Sequence, residues 1–191
     1  MNFLKDKAFI RFVIKFLVIF LICYYGTFAL IGVTVPGGYY SSFIDQYLNY
    51  VSWVRISLLN GTKIMLSFFG VDTYRAGEYN LRIVNGRGIR LVYGCLGFGV
   101  MSFWVAFVLA SADKIKRKLI WTILGLCFIW VLNITRLSLL LVATNKGWPI
   151  PLGWDHHTWF TIFSYLFIFI LIYLFNRKNA DQGEPKQKNK L

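Results

Sequence analysis

The 191-residue sequence has few acidic residues, few histidines and few cysteines. It contains 8 Asp and Glu against 21 Lys and Arg, and its two histidines stand side by side as His156 and His157. Three cysteines form an odd number without a Cys-x-x-Cys spacing, so neither a disulfide framework nor a zinc cluster is indicated. Carboxylate ligands are also scarce near the histidines, where Asp155 is the adjacent one, so we expect no metal and no cofactor.

Long apolar runs are abundant instead. The chain is 57% hydrophobic and 19% aromatic, with a mean hydropathy of +0.56, which is more apolar than an ordinary soluble domain. Uncharged runs of about 20 residues match the thickness of a bilayer. The sequence therefore predicts an all-α polytopic membrane protein with about four transmembrane helices. The predicted spans are Phe9–Val35, Leu96–Ala112, Leu119–Ala143 and His157–Phe175.

The positive charge marks membrane topology rather than a nucleic-acid partner. The formal net charge is +13, but thirteen of the 21 basic residues lie in three clusters that flank apolar runs. Short basic segments beside spans are typical of the cytoplasmic side. Both termini are thus predicted to be cytoplasmic, with residues 36–95 and 144–156 outside and the first run retained as an anchor. The clusters are Lys5, Lys7, Arg11 and Lys15; Lys114, Lys116, Arg117 and Lys118; and Arg177, Lys178, Lys186, Lys188 and Lys190.

The segment Tyr40–Gly70 has a helical pattern that polar residues interrupt. A charge at bilayer depth costs at least ~2.5 kcal/mol on insertion scales. We therefore interpret this segment as an amphipathic helix on the outer leaflet or as a re-entrant hairpin. Within it, Arg55 and Lys63 are interpreted as snorkelling side chains rather than as ligands of lipid headgroups.

The segment Tyr79–Tyr93 alternates apolar with polar residues around Asn85-Gly86. This pattern predicts a small β-hairpin, lengthened by Gly88. Because the edges of a hairpin cannot be satisfied in lipid, the hairpin must lie in the extracytoplasmic layer. It leads directly into Gly94-Cys95-Leu96-Gly97, which places Cys95 at the outer mouth of a span.

Cys95 differs from the other two cysteines in its surroundings. Cys23 and Cys127 lie inside predicted spans and are interpreted as packing residues. Around Cys95, in contrast, Gly94, Gly97 and Gly99 allow close approach of another backbone, such as a peptide substrate. Small residues also serve plain helix packing, so Cys95 alone does not establish a function.

Arg136 lies towards the outer end of the third predicted span. An ionisable side chain inside a membrane is rare and usually functional. The alternative is an interfacial Arg that snorkels to the surface. Asn133 is three residues earlier on the same helix face, where it could orient the guanidinium.

His156 and His157 lie where an outer loop enters the last predicted span. An imidazole at this position is accessible to water, and Asp155 could cap the helix or polarise a ring. The alternative is an interfacial belt that the histidines share with neighbouring tryptophans. Cys95, Arg136 and one histidine are all predicted near the outer face, which suits acyl transfer through a thioester. The histidine would move the thiol proton, and Arg136 would stabilise the oxyanion.

These residues resemble the exosortase/archaeosortase family over about residues 70–175. That family carries a cysteine motif after an extracytoplasmic loop, then Asn-x-x-Arg in a span, then a His that opens a later span. The corresponding segments here are Cys95-Leu96-Gly97, Asn133-Ile134-Thr135-Arg136 and His156-His157. Leu96 stands where the commoner family form has Ser. Many members have Gly four residues after the histidine, and the small Thr161 at that distance favours His157 over His156.

The resemblance implies a membrane-embedded cysteine transpeptidase or protease in a bacterial inner membrane. Such enzymes cleave C-terminal sorting signals from membrane-anchored exported proteins, so the expected partners are these proteins and the lipid bilayer. The expected organisation is one exosortase-like domain over 1–178 and a disordered basic cytoplasmic tail over 179–191. An alternative function is a non-catalytic membrane component of an export or polysaccharide system. A transporter that uses Arg136 for anionic solutes is a third possibility, and the oligomeric state is left open.

Overall fold

The computed structural model describes residues 6–35, 39–148 and 156–183. The chain divides into two compact units, Met1–Pro149 and Ile150–Leu191, and each is described by itself. The described part is mostly helical, with one small sheet. The predicted single domain over 1–178 stays a prediction.

Helix α1 covers Lys7–Thr34 and matches the first predicted span. It begins at Asp6, whose carboxylate accepts a hydrogen bond from the Ala8 backbone N–H at 2.8 Å, because the first N–H groups of a helix need acceptors outside it. Helix α1 packs against the later helix α4, Phe98–Ala110. Edge-to-face aromatic pairs join them, with Phe16 near Phe103 and Phe12 near Phe107. The two helices therefore run antiparallel.

The segment predicted as an amphipathic or re-entrant helix forms two helices. After α1 the chain folds back, and the Ser41 N–H donates to the Val33 carbonyl at 2.9 Å. Helix α2 covers Ser42–Tyr47, and helix α3 covers Tyr50–Phe68. One face of α3 is buried, while its exposed residues include Trp53, Ile64 and Phe68. Its location on the outer leaflet, or as a re-entrant segment, stays a prediction. The buried residues of α3 are Val51, Arg55, Leu58, Leu59, Thr62 and Leu66.

A three-stranded antiparallel sheet follows α3, in the order β1-β2-β3. The strands are β1 Thr73–Arg75, β2 Asn80–Ile83 and β3 Gly88–Arg90. The β2–β3 pair is the predicted hairpin, and Asn85 in its turn has a φ of +59°. Asn tolerates this left-handed conformation better than most residues, which is why Asn-Gly predicts such turns. Strand β1 was not predicted, since three residues are too short for a visible alternation.

Helix α4 begins soon after the sheet and is shorter than predicted, while helix α5 is longer. Helix α5 covers Ile115–Lys146, against a predicted span of Leu119–Ala143. Its first turn contains three of the four residues of the second basic cluster, and Arg117 forms an ion pair with Asp113 at 3.2 Å. Helices α4 and α5 pack against each other. A hydrogen bond joins them, in which the Trp104 indole N–H donates to the Trp121 carbonyl at 3.0 Å.

Helices α3 and α5 run parallel to each other. The Trp130 indole N–H donates to the Ser57 hydroxyl at 3.0 Å, and four residues later on both helices Gly61 lies against the Ile134 side chain. At the far end of α5, the Asn145 side chain accepts a hydrogen bond from the Arg87 backbone N–H at 3.2 Å. The sheet is thus attached to the C-terminal end of α5.

Helix α6 forms the second unit and covers His156–Gly183. It extends five residues beyond Lys178, into the segment predicted to be a disordered tail, and residues 184–191 lie outside the described part. Among the described residues, α1 and α5 are long and apolar enough to cross a membrane. Helix α4 and the apolar stretch Ile162–Arg177 are shorter. The number of four crossings therefore stays a prediction.

Candidate active site around Cys95

Cys95 lies in a 3-10 turn, Tyr93–Cys95, that connects β3 to α4. Cys95 thus precedes α4, the helix within the second predicted span, and its position at the outer mouth of a span stays a prediction. Its backbone N–H donates to the Val92 carbonyl at 2.9 Å, which closes the turn. The residue is 7% exposed and belongs to an apolar core that includes Leu91 and Leu96. Cys23 is half-buried and Cys127 is exposed, so Cys95 is the buried thiol of the three.

Gly97, two residues after the cysteine, is the N-cap of α4 and has a left-handed conformation, with a φ of +78°. Few residues other than glycine adopt this conformation without strain. A second constraint applies, because a Cβ atom at Gly97 would lie 2.7 Å from Nδ2 of Asn133. Gly97 is therefore required both by the backbone turn and by the close approach of α5.

Asn133 joins the cysteine turn to α5. Its Nδ2 donates to the Leu96 carbonyl at 2.8 Å, and the residue is 1% exposed. The sequence suggested that Asn133 could orient Arg136, but its amide N–H donates to the Leu96 carbonyl next to the cysteine. Within the part of the chain that can be described, Asn133 Oδ1 has no hydrogen-bond partner. The contact joins two sequence motifs that are 37 residues apart.

Arg136 is half-buried on the next turn of α5 beyond Asn133, and its side chain is engaged by its surroundings. Three residues correspond to about 4.5 Å along a helix axis, so Arg136 follows Asn133 on nearly the same face. Because α5 continues to Lys146, ten residues beyond Arg136, Arg136 lies about 15 Å below the helix end.

His156 and His157 are the first two residues of α6, as expected for residues that open a helix. Their side chains, and all of Asp155, lie outside the described residues. The approach of either histidine to Cys95, and the role of Asp155, therefore stay predictions.

Aromatic rings pack around the cysteine turn. The Tyr93 ring stacks on Phe98 with centroids 5.6 Å apart, and Phe28 of α1 lies 4.8 Å from Tyr93. Burial raises the pKa of the Tyr93 phenol, and the neighbouring Tyr24 and Tyr50 add to the effect. Tyr93 therefore stays protonated at neutral pH and holds the turn as an uncharged ring.

One side of the turn is open among the described residues. A Cβ atom at Gly94 would meet no described atom within 4 Å beyond its chain neighbours, and Gly94 is exposed. The glycines around Cys95 were predicted to allow a substrate backbone to approach. In the structure, Gly94 and Gly97 differ in the space beside them. Gly94 provides open space, whereas the space at Gly97 is filled by Asn133.

Arg55 was misinterpreted from the sequence. It is 9% exposed and lies on the buried face of α3, so it does not snorkel to a surface, whereas Lys63 is exposed. The guanidinium lies 3.9 Å from the centroid of the Tyr79 ring. A signal was available in the sequence, because Arg55 occupies the same helical stripe as Val51, Leu58 and Leu59.

Comparison with known proteins supports the resemblance that the motifs suggested. The family model described as transmembrane exosortase (Exosortase_EpsH) matches residues 27–175. Archaeosortase A of Natronomonas pharaonis is 35% identical over 63 residues, which are 33% of this chain and 20% of the archaeal protein. The similarity to that relative therefore covers about a fifth of its length. No solved structure matches the chain. The predicted resemblance is confirmed, and the chain belongs to the transmembrane exosortase family.

Proposed function

We propose that this protein is a membrane-embedded cysteine transpeptidase or protease that cleaves C-terminal sorting signals of exported proteins. Members of its family are transmembrane cysteine transpeptidases. The observation that carries the proposal is the buried hydrogen bond from Asn133 to the Leu96 carbonyl at 2.8 Å. It joins the cysteine motif to the Asn-x-x-Arg motif and thereby supports a common site for Cys95 and Arg136.

Cys95 is the nucleophile in this proposal. His157, or alternatively His156, takes the proton from the Cys95 thiol, and the sulfur attacks the carbonyl carbon of the scissile peptide bond. The same imidazolium then gives its proton to the leaving amine when the carbon–nitrogen bond breaks. The product of this half-reaction is a thioester between Cys95 and the exported protein.

Arg136 stabilises the charge that develops on the carbonyl oxygen. A well-placed donor to an oxyanion contributes about 3 kcal/mol to lowering the barrier. Arg136 stays protonated under essentially all conditions, so it serves both half-reactions without a proton of its own being transferred. In the second half-reaction, the histidine takes a proton from the acceptor, which is water or an amine, and the acceptor displaces the sulfur.

The lengths of the helices support a membrane-anchored substrate. Helix α4 has 13 residues, which correspond to about 20 Å, while the hydrocarbon core of a bilayer is about 30 Å thick. With the basic residues that begin α5 on the cytoplasmic side, Cys95 would lie below the outer surface. A peptide bond close to a membrane-spanning helix can reach this depth, whereas a loop of a distant soluble domain cannot. The proposal includes an inner-membrane location with both termini in the cytoplasm.

The test is the Cys95→Ala variant in the native host. We expect an unprocessed, membrane-retained precursor of each substrate to accumulate, because no thioester can form. Mass spectrometry of the C-terminal peptides of surface proteins measures the loss of cleavage. Cys23→Ser and Cys127→Ser are matched controls that remove the other thiols, and both should process normally.

Normal processing in Cys95→Ala or Cys95→Ser cells would refute the enzyme assignment. The alternative function, a non-catalytic component of an export or polysaccharide system, predicts that result. It also predicts that Arg136→Gln and Cys95→Ala act only when they reduce the amount of folded protein, which immunoblotting of the membrane fraction measures.

A further inference from the structure

The buried Arg55 on α3 lacks a well-matched partner. Its Nη2 donates to the Ser52 hydroxyl at 2.9 Å. The nearest carboxylate is Oε2 of Glu78 at 3.9 Å, beyond hydrogen-bond distance, and the Glu78 side chain is 70% exposed. The Nε atom of Arg55 is buried, and no described residue accepts a hydrogen bond from it. A charge that is buried without full hydrogen bonding is costly to a fold, which makes this arrangement unusual for a purely structural residue.

The free N–H of Arg55 is suited to a planar anion. A guanidinium offers Nε and Nη donors in a fixed fork that matches a carboxylate in two parallel hydrogen bonds. The Tyr79 ring supports the guanidinium at 3.9 Å, and the Arg90 guanidinium lies 5.8 Å from the same ring centroid. The Tyr79 ring therefore has two guanidinium groups near it, those of Arg55 and Arg90, and the Glu78 carboxylate lies 3.9 Å from Arg55. Residues 50–95 also carry six basic and two acidic side chains, a net charge of +4.

The Arg55–Tyr79 contact adjoins the segment that leads to the proposed nucleophile. The Tyr79 carbonyl accepts a hydrogen bond from the Leu91 N–H at 2.7 Å, and Leu91 precedes Cys95 by four residues. Val51, one helical turn before Arg55, belongs to the same apolar core as Leu91 and Cys95. A ligand held by Arg55 would therefore contact the Tyr79–Leu91 side of the Cys95 turn.

We propose that Arg55 is a subsite for a carboxylate carried by the peptide substrate, and that Glu78 occupies the subsite loosely until the substrate displaces it. The proposal rests on the proposed function, because it assumes a peptide near Cys95. A peptide side chain is favoured over a lipid headgroup because Arg55 is buried behind Tyr79. The resident anion is also a carboxylate on a protein chain, at a distance that leaves the donors free.

The test measures binding without catalysis. Purified full-length protein with Cys95→Ala is titrated in neutral detergent with N-acetyl-glutamate amide, and ligand-observed NMR measures the affinity. The neutral N-acetyl-glutamine amide is the matched probe and should not bind. Because charge-assisted hydrogen bonds are lost, Arg55→Gln should weaken binding by about 10-fold or more. Glu78→Gln should strengthen it several-fold, because the competing anion is gone.

Lys63→Gln is the matched control, since Lys63 is an exposed cation on the same helix, and it should leave the affinity unchanged. If Arg55 and Glu78 form only a structural ion pair, both Arg55→Gln and Glu78→Gln should destabilise the fold. Neither variant should then increase the affinity for the glutamate probe. Unchanged affinity in Arg55→Gln, or weaker affinity in Glu78→Gln, overturns the proposal. If Arg55→Gln fails to fold, the sign of the Glu78→Gln effect decides alone.

A second arm adds phosphatidylglycerol to the micelles. The proposal predicts that this lipid does not displace the glutamate probe. Arg55-dependent binding of the lipid without binding of the probe would replace the peptide subsite with a lipid site. Probe binding through Arg55, together with normal processing in Cys95→Ala cells, would refute the enzyme assignment and leave the anion site standing.

Discussion

Gly94 and Gly97 lie on either side of Cys95, and their surroundings differ. Among the described residues, a Cβ atom at Gly94 would meet nothing within 4 Å beyond its chain neighbours, whereas one at Gly97 would lie 2.7 Å from Asn133 Nδ2. Gly97 also has a φ of +78°, which Gly94 does not share. The same residue type therefore serves two purposes in one turn. Gly97 lets the backbone turn into α4 against α5, and Gly94 leaves space beside the backbone next to the buried cysteine.

The cysteine turn is therefore held in place on the Gly97 side and, among the described residues, open on the Gly94 side. On the fixed side, the Asn133 amide holds the Leu96 carbonyl at 2.8 Å. Fixed geometry on this side suits a nucleophile that must be held within a fraction of an ångström of its productive position. Open space on the Gly94 side suits the approach of an extended peptide.

The largest effect on the fold is expected for Gly97→Ala. A left-handed alanine costs about 1–2 kcal/mol, and displacing Asn133 from the Leu96 carbonyl costs a similar amount, so the free energy of unfolding should fall by about 3 kcal/mol. Unfolding of the purified protein in mixed micelles measures this change. Gly94→Ala is the matched control and should change it very little. Equal losses in the two variants would contradict the difference between the two glycines.

A smaller effect is expected for Asn133→Leu. The substitution keeps the side-chain volume but leaves the buried Leu96 carbonyl without its donor. It also removes the buried Oδ1, which lacks a partner in the described structure, so the two terms partly offset each other. The net loss in the free energy of unfolding should be about 1 kcal/mol.

Processing of surface proteins should fall further in Asn133→Leu than this loss of stability explains, because the cysteine turn is no longer attached to α5. Ser138→Ala is a control on the same helix, since Ser138 is buried and its hydroxyl has no partner among the described residues. Normal processing in Asn133→Leu cells would show that the attachment is not required for function.

Local patterns in the sequence predicted the elements of this fold, and non-local contacts escaped prediction. Long apolar runs located α1, α5 and α6, and Asn85-Gly86 located the hairpin. The Asn133–Leu96 contact spans 37 residues, and no periodicity encodes which backbone an amide will reach. Consequently, Asn133 was assigned to Arg136, its neighbour on the helix, and not to the cysteine turn.

Arg55 illustrates a second limit of sequence-based interpretation. Insertion scales describe a charge surrounded by lipid, and from that starting point snorkelling is the cheapest outcome. In the folded chain, the β1–β2 connection brings Glu78 and Tyr79 over the guanidinium. A tertiary neighbour changes the environment of the charge, and the sequence of α3 alone contains no information about that neighbour.

The smallest effect on the fold, and the most informative one for function, is expected for Gly94→Leu. The backbone at Gly94 has no left-handed φ, and a Cβ atom there would meet no described atom within 4 Å beyond its chain neighbours, so the free energy of unfolding should be unchanged. A bulky side chain would, however, fill the open side of the turn. We therefore expect a membrane-impermeant maleimide to react with Cys95 more slowly than in Gly94→Ala, and processing to fall in parallel. The assay uses a Cys23→Ser, Cys127→Ser background, so that Cys95 is the reacting thiol. Unchanged labelling in Gly94→Leu would mean that substrate and reagent reach Cys95 from another side, and the open face would then have no role in access.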